Sequence, residues 1–188
     1  MAHIAQNLVM QGMSGGLQKK ILLKHYGKIT IATAFPDRSK VKQTESQKKE
    51  NGRFRAAMAY AQAQMADPKS KAEYKAIAKG LQKAHNMAIA DFYHPPVIKS
   101  VDLSQCTGNA YDPITIVAVD ILKVVKIKVS VISESGNSLE SGDAQQKTRW
   151  KWEYRLSGNY SSIEQLTAKI TAWDKPGNSA ELRLLIKG

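Results

Sequence analysis

The chain has 188 residues, 43% hydrophobic and 23% charged, which is ordinary for a globular protein, yet 28 Lys/Arg against 16 Asp/Glu leave a net charge of +12. A single cysteine, Cys106, excludes an internal disulfide and with it the secreted disulfide scaffolds. No apolar run approaches the roughly 20 residues of a membrane span, and the start MAHIAQNLVMQGMSGG lacks the regions of a secretory signal, so the expected location is cytoplasmic, or inside a particle assembled there.

Residues 1–16 mix polar and apolar residues and end in Ser14-Gly15-Gly16, which reads as a flexible arm or a segment ordered only by a partner. A β-hairpin follows. Leu17 to Lys24 and Lys28 to Ala34 are β-rich, and Gly27 in the His25-Tyr26-Gly27 link can supply the positive φ of a short loop. Two strands alone are marginal in water, so this hairpin must bury a face against something else.

Thr44-Glu45-Ser46-Gln47 is a capping box, Thr at the N-cap and Gln three residues on. The helix it opens is predicted to run to about Ala66. Phe54, Met58, Ala61 and Met65 form its apolar stripe, and Lys48, Lys49, Arg53 and Arg55 lie opposite. Asp67-Pro68 ends that helix and starts a second, over about Lys69 to Lys79, which stops at Gly80. A third short helix spans about Lys83 to Phe92.

Pro95-Pro96 must be extended and closes the helical region. Charge changes there too. Residues 1–96 hold 16 Lys/Arg and 6 Asp/Glu, a balance of +10; residues 97–188 hold 12 and 10, a balance of +2. The amino-terminal half would therefore attract polyanions or an acidic protein surface.

From Val97 the period becomes two. Val97 to Asp102, Ile114 to Val119, Val124 to Ile132, Leu139 to Ala144, Arg149 to Leu156, Leu166 to Trp173 and Glu181 to Ile186 read as strands. Turns at 8–15-residue spacing between short strands point to a β-sandwich. Trp150, Trp152 and Tyr154 fall on one face of a strand; they make either a stacking or glycan platform, or a face buried in the core.

The stretch Ala118-Val119-Asp120, Val129 to Ile132, Gly136 and Leu139-Glu140 resembles bacterial immunoglobulin-like modules. So does Trp152-Glu153-Tyr154, with Ala172-Trp173-Asp174-Lys175-Pro176-Gly177-Asn178 matching their A-x-D-x-x-G-N turn. The resemblance covers about the last 90 residues and implies that fold. The whole chain is also similar to uncharacterised proteins of Bacteroidota and their mobile elements. It shares their Gly15-Gly16 start, the Tyr26-Gly27-Lys28 hairpin, Gln47 with Arg53-Phe54-Arg55-Ala56, and Ala90-Asp91-Phe92 before Pro95-Pro96. That likeness implies architecture, not chemistry.

No reaction centre is legible. His3, His25, His85 and His94 form no i,i+4 pair, and there is no H-E-x-x-H, C-x-x-C, Walker or G-x-S-x-G pattern. Cys106 has no matched His–Asp pair nearby and reads as structural. Asp112, Asp120, Asp174 and Asn178 are either turn caps or, gathered at one end of a sandwich, a Ca²⁺ site.

The expected fold class is α+β: an arm (1–16), a basic hairpin-and-helix module (17–94) and an immunoglobulin-like β-sandwich (97–188). The expected function is non-enzymatic, without cofactor: a structural or assembly protein that forms a homo-oligomer, or docks on a larger assembly, through its arm and hairpin. The alternative is nucleic-acid binding. The expected contact surface is Lys19, Lys20, Lys24, Lys28, Lys48, Lys49, Arg53 and Arg55, with Trp150, Trp152 and Tyr154 as an aromatic face.

Overall fold

A computed structural model describes residues 2–3, 13–18, 20–26, 29–37, 42–160 and 166–186. Its described residues form three helices and three antiparallel four-stranded sheets, so the fold is mixed α+β. The chain divides into two compact units, Met1–Lys48 and Lys49–Gly188. Pro95-Pro96 therefore lies inside the second unit, where it joins a helix to a strand.

The first unit contains β1 (Ala2–His3), β2 (Gly15–Leu17), β3 (Ile21–Tyr26) and β4 (Ile29–Ala34), in the order β1-β4-β3-β2. The hairpin expected from the sequence is β3–β4, with Tyr26 opposite Ile29. Its loop, with Gly27 and Lys28, lies outside the described residues. Leu17 belongs to a separate strand, because the chain turns back at Gln18, whose φ of 48° breaks the extended run. Both ends of the expected arm thus pair as edge strands: Ala2 opposite Ala32, and Gly16 opposite Leu22. Gly16 suits that position because the Phe35 ring lies 2.9 Å from where its Cβ would stand.

The helix α1 (Glu45–Ala66) opens in the first unit and continues into the second. Its capping box forms as read. Thr44 N–H donates to Gln47 Oε1 at 3.0 Å, and Gln47 N–H donates to Thr44 Oγ1 at 3.2 Å. The stripe is only half right. Ala57 and Ala61 are buried, but Phe54 is 50% exposed, because every residue from Glu45 to Ala56 lies open to solvent. Asp67 caps α2 (Pro68–Ile77) by accepting from the N–H groups of Lys69 and Ser70. With α3 (Ala84–Tyr93), these helices close a small core of Ala61, Tyr74, Ala88 and Leu122, with Tyr60, Met65, Ile77 and Met87 around it.

The remaining strands build two sheets. One holds β5 (Val97–Asp102), β6 (Pro113–Val119), β9 (Gln145–Gln146) and β10 (Lys151–Arg155), in the order β5-β6-β10-β9. The other holds β7 (Val124–Ile132), β8 (Ser138–Asp143), β11 (Thr167–Asp174) and β12 (Ser179–Leu185), in the order β12-β11-β7-β8. Alternate residues of both sheets meet in one core: Ile114, Ile116 and Trp152 from the first, Ile127, Val129 and Ile170 from the second. The chain changes sheets at Ala144, between β8 and β9. Among the described residues, no helix is long and apolar enough to cross a membrane.

Bulges in β7 and β5 interrupt the period of two. In β7 the partner of Trp173 is Lys126 and that of Asp174 is Val124, so Val125 is the extra residue. It turns outward, 46% exposed, and Val124 takes the core position. In β5 the extra residue is Lys99, so Ile98 and Val101 both reach the core and Val97 does not.

Candidate functional site

The expected contact residues fall in both units. In the first, Lys20 and Lys24 are exposed; Lys19 and Lys28 lie outside the described residues. Lys48 is exposed and pairs with Glu45 at 2.7 Å, one helical turn away. In the second unit, Lys49, Arg53 and Arg55 are exposed along α1. Arg53 is partly committed: its guanidinium stacks 4.6 Å from the Tyr93 ring centroid and donates to the Tyr93 carbonyl.

The aromatic face does not hold together. Trp152 and Tyr154 are buried in the core, 5% and 7% exposed. Trp150 lies before β10, in a turn whose Thr148 side chain accepts from the Trp150 and Lys151 N–H groups. The turn takes Trp150 off the strand, leaving it 40% exposed under the Arg149 guanidinium. Cys106 is buried in the core, where loss of hydration pushes its thiol pKa up, an inert setting.

Of the four residues considered as a Ca²⁺ cluster, Asp112 stands apart from Asp120, Asp174 and Asn178. Asp112 caps its own turn, accepting from Thr107 and Asn109. Among the described residues, no group of three or more His, Cys, Asp or Glu is arranged to hold a metal ion.

Asp120 and Asp174 instead join Asp91, where the helices meet the sheets. Asp91, on α3, is fully buried. It accepts from Tyr74 Oη at 2.6 Å and from the Leu122 N–H at 3.2 Å. Because Tyr74 spends its one proton on Asp91, its oxygen accepts from Tyr60 Oη at 2.8 Å. Asp174 ends β11, 2% exposed. It accepts from Gly177 N–H, Asn178 N–H and Asn178 Nδ2. The Asn178 amide also reaches the Asp91 and Phe92 carbonyls, tying the A-x-D-x-x-G-N turn to α3.

Asp120 follows β6. Both of its carboxylate oxygens are buried, and among the described residues no donor satisfies them. The Ile121 N–H lies near without reaching hydrogen-bond geometry. Its acidic neighbours are the Asp91 carboxyl and, more weakly felt, Asp174. Burial first, and Asp91 second, push Asp120 up to about 7. Burial also raises Asp91 and Asp174 above the ordinary carboxylate range. Next to this cluster, Glu73 on α2 pairs with Lys123 at 2.6 Å and Lys175 at 3.0 Å.

In the sequence, Asp120 and Asp174 are candidate turn caps or Ca²⁺ ligands, and Asp91 stands only in the Ala90-Asp91-Phe92 pattern, without a role. The usable signal was the A-x-D-x-x-G-N turn itself, whose Asn has a second role in bonding α3.

No protein-family model matches the chain, and neither does any curated protein. Among solved structures, the chain is similar to an engineered protein determined by crystallography: 20% identity over 48% of this chain, with a TM-score of 0.32. The match spans 19% of that protein.

Proposed function

We propose that the chain is a non-enzymatic assembly protein that self-associates through its first unit, with an immunoglobulin-like β-sandwich as its rigid body. The carrying observation is the cross-strand pair Leu17–Ile21 at the rim of the first sheet. Leu17 is 55% and Ile21 40% exposed. Among the residues of that unit whose side chains are described, only Leu23 and Thr30 are buried. The outer strand β2 has three residues, so it covers only part of the β3 edge it borders. An apolar pair beside a short edge strand suits strand addition by a second copy. The immunoglobulin-like reading of β5–β12 rests on two antiparallel sheets around one core and on the crossover at Ala144.

Light scattering on the full chain at rising concentration tests the proposal. The expected result is a mass above the monomer that falls in a Leu17→Lys, Ile21→Lys variant. A monomer at every concentration would sink it. Retention on DNA or RNA that weakens steeply with salt would favour the nucleic-acid reading instead.

A further inference from the structure

We propose that Asp120 and Asp91 share one proton in the folded protein, and that this proton is a pH-sensitive fastener between the α1–α3 layer and the link from β6 to β7. Among the described residues, Asp91 has two donors, Tyr74 Oη and Leu122 N–H; Asp174 has three, from Gly177 and Asn178; Asp120 has none. A buried carboxylate without a donor or counter-ion is far costlier than the same group carrying a proton. Asp120 therefore resolves its position as an acid, and its O–H donates to the Asp91 carboxylate.

The groups facing the pair from each element offer no alternative. Tyr60 comes from α1, Tyr74 from α2, Asp91 from α3 and Asp174 from β11. None is cationic. Lys175, 5.4 Å from the Tyr74 ring centroid, is committed to Glu73 and Ser70; Lys123 is committed to Glu73. Among the described residues, no lysine, arginine or histidine is hydrogen-bonded to any of the three carboxyls.

The consequence for pH follows from linkage. The folded state holds a proton that the unfolded chain releases near pH 4, the ordinary range of Asp. Stability from this proton is complete below that range and is lost as pH rises towards about 7, where folded Asp120 titrates. For one proton, the folding constant falls about tenfold per pH unit across that window. When the proton leaves for solvent, two facing carboxylates repel. Asp91 holds the Leu122 N–H and is bonded through Tyr74 to α2, so repulsion loosens this link first.

The test is equilibrium unfolding of the full chain between pH 5 and 8, in wild type and Asp120→Asn. The amide is a neutral stand-in for the acid. The variant is expected to lose one proton's worth of pH slope, about tenfold per unit, and to be the more stable protein at pH 8. An unchanged slope would overturn the proposal. Infrared spectroscopy on the wild type stands independently of the variant's folding. A carboxylic-acid C=O band present at pH 6 and gone by pH 8 supports the shared proton, and its absence at pH 5 overturns it. Faster Leu122 amide exchange above pH 7, relative to Val129, is the expected sign of the loosened link. Added Ca²⁺ is expected to leave unfolding at pH 8 unchanged; stabilisation by Ca²⁺ that Asp120→Asn abolishes would overturn the proton in favour of a cation.

Discussion

The Tyr154 ring lies 2.8 Å from the position a Cβ on Gly142 would occupy. Gly142 is on edge strand β8, and Tyr154 is a core residue of β10 in the opposing sheet. The ring cannot swing away cheaply, because its hydroxyl donates to Glu140 Oε1 at 2.9 Å. Gly142→Ala is therefore expected to force the ring or strand aside at a cost of about 1–3 kcal/mol, the usual penalty of overpacking. Urea unfolding measures it. A variant as stable as wild type would show that β8 yields freely.

Glu140 is the anchor of that contact. Its carboxylate also accepts from Tyr160 Oη at 2.6 Å and from the Ser157 and Gly158 N–H groups. Burial acts to raise its pKa, but the hydroxyls of Ser157, Tyr160 and Tyr154 win and hold it below the ordinary range. For a lowered carboxyl, the stabilisation is present above the unfolded value of about 4.3 and is lost as pH falls through the folded one. Glu140→Gln is expected to cost about 2 kcal/mol at pH 7, on the scale of hydrogen bonds to a charged group. The difference from wild type should shrink in acid. A gap that stays constant down to pH 3 would assign the loss to shape instead of charge.

What the sequence discloses depends on the reach of the interaction. The Thr44–Gln47 box and the Asp67-Pro68 start are readable because each is settled within four residues. The strands of β6, β7 and β11 are readable because burial on one face repeats every second residue. The bulges at Lys99 and Val125 are not, since one extra residue inverts the pattern and only the partner strand reveals it. The Asp91–Asp120–Asp174 cluster is unreadable for the same reason on a larger scale: α3, the link after β6 and the end of β11 meet only after folding. Its members look like turn caps one at a time.

The two tryptophans of the expected aromatic face should behave oppositely. Trp152 is buried among Ile116 and the facing sheet, with no partner for its Nε1 among the described residues. Its truncation to Ala is expected to cost about 3–5 kcal/mol. Trp150 is exposed and, among the described residues, stacked by Arg149 alone, so Trp150→Ala is expected to change stability by less than about 1 kcal/mol. Collisional quenching of the single-tryptophan variants gives a second readout: strong for Trp150, weak for Trp152. Comparable quenching would restore the row as one surface.

Glu73 tests how the helices hold the sheets from outside the buried cluster. It bridges Lys123, in the link after β6, and Lys175, just beyond β11. Both lysines lower its pKa, Lys123 first. The carboxylate is 27% exposed, Lys175 21% and Lys123 43%. Partial solvation keeps the pair energies small, so Glu73→Gln is expected to cost about 1 kcal/mol. The loss should decrease in high salt, because screening weakens what the variant removes. Double-mutant cycles with Lys175→Met and Lys123→Met apportion it. Lys175 also donates to Ser70 at 2.8 Å and sits over the Tyr74 ring, so its coupling should be the larger of the two. Equal couplings would mean that the second contact of Lys175 adds no constraint between α2 and the end of β11.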